Sequence, residues 1–246
     1  MYCSLLQYWN ERINLTAIRD LEDIHTKHIE DCLSILPILR SLVERRGGAG
    51  PVEIADIGSG AGLPGIIIAI AEPDWRVTLV ETRINKCRFL MTCVEDVGLP
   101  NVHIAKCRAE EFCMPGSPDR GTYDIVTARA VADITRLASI TLPAAKLHGN
   151  VVAMTGRIGA TKLEVERAQS VISKLGGLVD DVVPLNVPGM TESIANPKFL
   201  AEKFRRGTAG SALFKAEHLP SLPLTPRGED EQLRSAVIIS RVAENS

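Results

Sequence analysis

The chain changes its hydrophobic rhythm near residue 50. Before it, apolar side chains recur at helical intervals: Ile24, His28-Ile29, Cys32-Leu33 and Leu36 fall on one face. Residues 2–46 therefore read as helices, with Pro37 bending or interrupting the last of them. Gly47-Gly48-Ala49-Gly50-Pro51 ends the block. After it, short apolar runs alternate with amphipathic segments. Strands are expected at Val52–Ile57, Arg76–Glu81, Val102–Cys107, Tyr123–Thr127 and Val151–Thr155. Helices are expected at Leu63–Ala71, Lys86–Val97, Ile134–Lys146 and Lys162–Leu175. This alternation predicts an α/β fold with a mainly parallel sheet covered on both faces. Val179–Leu185 and Ala236–Val242 add two strands, which fit an antiparallel edge hairpin and bring the sheet to seven. Residues 1–50 thus form an N-terminal helical cap, and 51–246 a single domain with a long insertion at about 187–234. That insertion is rich in Pro and Gly and carries a basic amphipathic stretch, Lys198 to Arg206.

The first strand runs into the stretch ADIGSGAGLPG, residues 55–65. A strand, a glycine turn and a helix together make a site for an anionic or adenine-bearing ligand. A dinucleotide fingerprint wants its third glycine at position 63, to let helix and strand pack closely. Here Leu63 fills that slot and the glycines alternate at Gly58, Gly60 and Gly62, preceded by Asp56. This pattern suits a ligand that crosses the loop without a pyrophosphate, with Asp56 orienting an ammonium or a bound water. Glu81 ends the second strand, where a carboxylate accepts from the hydroxyls of a ribose. Together they fit an adenosine with an amino-acid tail, S-adenosylmethionine. Ser59 and Thr82 flank these contacts, and Ala109-Glu110, after the third strand, is placed to read the adenine edge. Glu111 reads equally well as a cap on a short helix.

Composition narrows the picture. With 246 residues, 45% hydrophobic and 24% charged, the chain is an ordinary globular protein. The apolar run Ile66–Ala71 is too short to span a bilayer, and no basic start precedes an apolar core at the N-terminus, so a cytoplasmic location is expected. None of the six cysteines forms a CxxC pair, and no histidines accompany them at ligand spacing, so no metal site is expected. Buried, reduced thiols are the simpler account. A formal net charge of −2 gives no sign of a polyanion partner, though it does not exclude local basic patches.

Several blocks taken together resemble a known family. They are WNERINLTAI (9–18), HIEDCL (28–33), DIGSGAGLPG (56–65), KCRFL (86–90), RAEEF (108–112) and ARA (128–130). In this order they resemble the bacterial 16S ribosomal RNA guanine-N7 methyltransferases, the glucose-inhibited division protein B family. The glycine motif is common to many methyltransferases; WNxxxNLTAI with GLPG and ARA is far more specific. The resemblance runs from residue 8 to about 185 and resumes near Arg234–Arg241. It implies a Rossmann-like class I methyltransferase fold and S-adenosylmethionine contacts at Gly58, Leu63, Ala109-Glu110 and Arg129. It also implies methyl transfer to N7 of one guanine in 16S rRNA, as naked RNA or in the 30S subunit. The chain departs from the family pattern at Cys32, where serine is usual, and at Thr155-Gly156-Arg157, where Lys-Gly is common.

The chemistry asks little of side-chain acids and bases. Guanine N7 carries no proton, so no general base is nominated, and the work is alignment and electrostatics. Arg129 is the candidate positioning residue, binding either the methionine carboxylate, which the resemblance favours, or guanine O6; a salt bridge at a strand end is the simpler reading. Arg83, Lys86, Arg88, Arg108 and Arg157 would form a positive rim for RNA phosphates, with ordinary solvated charge the equal alternative for Lys86 and Arg88 taken singly. His28 and Asp31 lie one helical turn apart and read as a mutually satisfied pair or as part of the cap over the cleft. Other readings stay open on sequence alone: transfer to another RNA or a small molecule, a non-catalytic ribosome-associated module, or a nicotinamide oxidoreductase, which the glycine spacing disfavours. A monomer is expected.

Overall fold

A computed structural model describes residues 1–47, 50–129, 133–185 and 234–243. The insertion expected at 187–234 and its basic stretch lie outside the described residues, apart from Arg234 itself.

Helix α1 (Tyr2–Asn10) opens the chain. The segment that follows is shaped by Asn10, whose Oδ1 accepts from the backbone N–H groups of Leu15 and Thr16 and whose Nδ2 donates to the Ile18 carbonyl. One buried amide thus replaces three hydrogen bonds that a loop would otherwise lack. Asp20 then caps α2 (Leu21–Ile24), accepting from the N–H groups of Glu22 and Asp23. A π-helical turn, His25–Glu30, leads into α3 (Asp31–Leu33). Pro37 stands in the first turn of α4 (Leu36–Arg46), so it marks a break after Leu33 rather than a bend within a helix.

The α/β part begins with β1 (Glu53–Ile57), α5 (Gly65–Ala71) and β2 (Arg76–Val80), followed by α6 (Ile84–Val97), β3 (Val102–Ala105) and α7 (Ala109–Phe112). Next come β4 (Tyr123–Arg129), α8 (Ile134–Thr141), β5 (Ala145–Arg157), α9 (Ile158–Lys174), β6 (Gly177–Pro184) and β7 (Arg234–Arg241). Two boundaries differ from the periodicity. The helix expected to reach Lys146 stops at Thr141, because Pro143 has no N–H to continue it, and a 3₁₀ turn at Leu142–Ala144 feeds directly into β5. The helix expected from Leu63 begins at Gly65, after a tight turn.

The seven strands pair in the order β3-β2-β1-β4-β5-β7-β6. All neighbours are parallel except β7, which runs antiparallel to both β5 and β6. This is the mostly parallel sheet with an antiparallel edge hairpin that the pattern predicted. Side chains alternate faces with period two. Ile54, Leu79, Val152, Met154 and Ile238 face the cap, α5 and α6, whereas Ala55, Val80, Val151, Ala153 and Ile239 face α7, α8 and α9. The cap therefore shares one core with the sheet: Tyr2, Leu6, Ile24, Ile29 and Leu39 are buried in the same cluster as Ile54 and Leu79. Tyr2 and Trp9 lie against the ring of Phe89 on α6, with centroids 6.4 and 5.9 Å away.

Opposite the glycine turn, Asp124 fastens the sheet to the cap. Its buried carboxylate accepts from the Glu53 N–H (2.8 Å) and pairs with Arg46 of α4 and Lys146 of β5. Because both cations are partly exposed, solvent relieves some of the cost of losing their partner. Asp124→Ala is expected to lower unfolding free energy by about 2 kcal/mol in urea titrations.

Candidate active site

In an open parallel sheet, ligands sit beyond the carboxyl ends of the strands where the strand order reverses. Here that point lies between β1, which pairs with β2 on one side, and β4 on the other. The loops after β1, β2, β3 and β4 all emerge there. They carry the glycine motif, Glu81, Ala109-Glu110 and Arg129, so the topology brings these predicted residues to one edge.

The turn after β1 is built from the inside. Asp56 is fully buried; its Oδ2 accepts from the Gly65 N–H (3.0 Å) and its Oδ1 from the Thr127 hydroxyl (3.1 Å). Asp56 thus holds the turn from within through both oxygens. Ser59 is also turned inward, its hydroxyl donating to the Asp56 carbonyl at 2.8 Å. The Gly58 and Ser59 N–H groups donate to the Val80 carbonyl and hold the turn beside β2.

The glycines divide the labour. Gly60 has φ +59, and the nearest atom a Cβ would meet is the Lys86 ammonium at 3.6 Å, so its outer side is open. Gly62 has φ +85, but a Cβ there would stand 2.4 Å from Ile66 and 3.0 Å from Leu90, so its Cβ side packs inward and admits no side chain. Gly65, outside the predicted set, leaves no room for a side chain either: a Cβ would lie 2.3 Å from Leu79 and 2.8 Å from the Asp56 carboxylate. The second glycine of GLPG was its sequence signal. Leu63 is buried and Gly58 exposed.

Glu81 bridges two backbone groups, accepting from Gly60 (3.0 Å) through Oε2 and from Arg83 (2.8 Å) through Oε1. Each oxygen keeps a second lone pair, which suits a ribose hydroxyl. Thr82 ties this loop to the next by donating to the Cys107 carbonyl (3.0 Å). Glu111 accepts from the Arg108 N–H and closes the start of α7, as its capping reading required, while Glu110 is exposed and pairs with Arg136. An open glycine face, a carboxylate with spare acceptors and the edge of α7 are features that fit an adenosine. On this geometry the residues suit S-adenosylmethionine.

Arg129 ends β4 and reaches into the cap. Its Nη2 donates to the Lys27 carbonyl (2.9 Å) and lies 2.9 Å from Asp31 Oδ2. Asp31 therefore pairs with arginine rather than with His28. The His28 ring meets the Thr16 hydroxyl (2.7 Å) and Arg129 (3.3 Å) instead. Burial, and then the Arg129 charge, lower its pKa to about 4. The rim cations Arg83, Arg88, Arg108 and Arg157 are exposed, and Lys86 is half-buried over the glycine turn. Arg157 stands opposite Arg234 in the β5–β7 register, on the far side of the cleft from α6. Thr155 joins Ser235 and Thr161 in a hydroxyl cluster and carries no charge to the cleft.

Two other chemistries find no support among the described residues. No group of His, Cys, Asp and Glu is arranged to hold a metal ion. The cysteines are thiols, with burial pushing Cys32 and Cys93 up to about 12 and Cys3 to about 11. No helix among these residues is long and apolar enough to cross a membrane.

A family model described as GidB, rRNA small subunit methyltransferase G, matches residues 1–186. The chain belongs to the GidB family. Among its relatives, ribosomal RNA small subunit methyltransferase G of Roseiflexus sp. (strain RS-1) is 40% identical over 189 residues, covering 77% of this chain and 76% of the relative. The protein of that name from Lactococcus lactis subsp. lactis (strain IL1403) is 37% identical over 191 residues, covering 78% and 76%. Solved structures share the fold at low identity. A SAM dependent methyltransferase from Aquifex aeolicus has a TM-score of 0.50 and 12% identity, covering 89% of this chain and 93% of its own. A putative sarcosine dimethylglycine methyltransferase from Galdieria sulphuraria also scores 0.50, at 10% identity, covering 92% and 89%. Membership in the GidB family agrees with the resemblance in the blocks from WNERINLTAI to ARA, and these structures agree with the class I methyltransferase fold.

Two buried groups give the site opposing pH responses. Burial raises Asp56 from 3.8 to about 6, against the hydrogen bonds from Gly65 and Thr127 that hold it down. Folding then takes up a proton between those values, so Asp56 adds stability as pH falls through 6. His28, lowered from 6.5 to about 4, makes folding release a proton and subtracts stability over nearly the same interval. Relative to the unsubstituted chain, His28→Gln should gain stability as pH falls from about 6.5 to about 4. Asp56→Asn should lose it over that range. Urea midpoints across the window measure both.

Proposed function

We propose that this chain transfers a methyl group from S-adenosylmethionine to N7 of a guanine in 16S ribosomal RNA. The match to the GidB family model over residues 1–186 carries this reading. The placement of the glycine turn, Glu81 and Ala109 at the carboxyl ends of the strands supports the cofactor. When bound, the cofactor supplies a sulfonium methyl as electrophile.

The residues have distinct tasks on this reading. Gly58 and Gly60 let the ligand approach the turn, and Glu81 accepts from the ribose through its free lone pairs. Ala109 and Glu110 meet the adenine edge, and Arg129 takes the methionine carboxylate. Asp56, Ser59 and Gly62 act from beneath by fixing the turn. Since N7 has a free lone pair, no group is needed to remove a proton, and the site works by alignment and by charge. As the nucleophile, the purine would gain positive charge as the methyl donor gave it up, so a cleft that stays polar throughout would suit both ends of the transfer.

Arg83, Lys86 and Arg88 on one flank, Arg108 above β3 and Arg157 on the other flank supply phosphate contacts. None of them forms an ion pair with a described residue, unlike Arg40, Arg46, Arg76 and Arg136. That local excess of free cations reconciles an RNA substrate with a net charge of −2. A cytoplasmic monomer acting on naked 16S rRNA or on the 30S subunit fits these features.

The test offers methyl-labelled S-adenosylmethionine to undermethylated 30S subunits, naked 16S rRNA and free nucleosides, and maps the product. Label at one guanine N7 is expected; label at another atom, or on free nucleosides alone, overturns the proposal. The Arg83→Ala, Arg88→Ala double variant should keep cofactor affinity, lose about tenfold or more in RNA affinity and show a shallower salt dependence by about two phosphate contacts.

A further inference from the structure

Asp31 joins three separated parts of the chain at the carboxyl edge of the sheet. It belongs to α3 of the cap, and its Oδ2 lies 2.9 Å from Arg129 Nη2, at the end of β4, and 3.1 Å from Arg234 Nη1, at the start of β7. The carboxylate is buried, with a side chain 5% exposed against 10% for Arg129 and 35% for Arg234. Both of its oxygens are buried without a hydrogen-bond partner among the described residues, so its contacts to the two arginines are ion pairs. A carboxylate in that setting costs the fold free energy unless its two cations are held close. The arrangement therefore calls for a role beyond packing.

The geometry supplies one. Arg129 is fixed from the cap side only: Nη2 by Asp31 and the Lys27 carbonyl, Nη1 by the Cys32 sulfur at 3.7 Å. The described contacts fall on Nη2 and on one N–H of Nη1, so the second Nη1 N–H and the Nε N–H remain to donate to an anion. Two guanidiniums on one carboxylate leave a net positive charge in a poorly solvated place, where an added anion is strongly attracted. The neighbouring His28, whose ring touches Arg129, is kept neutral by burial and by that same guanidinium, so it adds no competing charge.

We propose that Asp31 is a positioning residue: it clamps Arg129, with Arg234 beside it, in the orientation that receives the carboxylate of the cofactor's amino-acid tail. The inference rests on the reading that Arg129 takes that carboxylate. It makes the cap a participant in cofactor binding, since without Asp31 the Arg129 side chain is free to leave the cleft.

Calorimetric titration of the full chain with two ligands separates this role from a structural one. S-adenosylmethionine carries the tail carboxylate; 5′-methylthioadenosine has the same adenosine and no carboxylate. Asp31→Asn should weaken S-adenosylmethionine about tenfold and leave 5′-methylthioadenosine within twofold. Equal losses for both ligands would make Asp31 a purely structural group and overturn the proposal, as would no loss for either. Arg129→Ala tests the underlying reading: absence of the same split there removes the carboxylate contact itself. A split in Arg129→Ala without one in Asp31→Asn rejects the clamp alone. If Asp31→Asn does not fold, Asp31→Glu, which keeps the charge and moves it by one methylene, should show the split at a few-fold; unchanged affinities in that variant reject the clamp.

Discussion

The candidate site depends on a carboxylate buried beneath the glycine turn. Asp56 ends β1 beneath the glycine turn, holding the first N–H of α5 on one oxygen and the Thr127 hydroxyl of β4 on the other. Those two bonds join the three elements that enclose the switch point: the strand, the helix after it and the neighbouring strand. Burial pushes the carboxyl up toward 6, so the fold bears an electrostatic cost to keep it there. A group kept against such a cost needs an equal return, and here it is a turn held to one shape. Gly65 belongs to the same device, because any Cβ would displace the carboxylate it donates to.

The cap is tied to that turn as closely as the sheet is. The Tyr2 hydroxyl donates to the Ala61 carbonyl at 2.6 Å, between Gly60 and Gly62, and the Tyr2 ring lies in the same apolar cluster as α5 and α6. At the other end of the cap, the π-helical turn His25–Glu30 leads directly into Asp31 and its two arginines. Extra residues in a helix often mark sites under functional demand. Here the turn offers the Lys27 carbonyl to Arg129 and the His28 ring beside it. One contact fixes the glycine turn and the other fixes the arginine across the cleft from it, so the cap spans the site.

Much of this was legible in the chain itself. Short continuous apolar runs placed the strands, since a parallel sheet covered on both faces needs apolar side chains on both, and the glycines with Glu81 marked the edge where a ligand sits. What local spacing leaves open has one cause. Asp56, Ser59 and Gly62 stand in the motif, yet the Asp56 and Ser59 side chains and the Cβ direction of Gly62 face inward, and a motif does not say which way each of its members points. His28 and Asp31, one turn apart, read either as a pair or as part of the cap, and the structure gives them separate partners. The partner that separates them, Arg129, is 98 positions from Asp31, and no local spacing reveals it. The stop at Thr141 was missed although Pro143 signalled it, because the apolar period runs on into Ala144-Ala145.

What the sequence determined by itself follows from short-range physics: helix and strand periods, the glycine turn, the exclusion of a membrane-spanning run, and family blocks specific enough to name a reaction class. Residue type and spacing are sufficient for these because each depends on neighbours a few positions away. Only the tertiary structure decided which polar groups are buried and with whom they pair. Tyr2 meets Ala61 across 59 positions, Asp124 gathers Arg46 and Lys146, and Asp31 collects arginines from two strands. Such pairings arise where burial strips charges of water and leaves them only each other. That condition is set by the folded shape and is invisible along the chain.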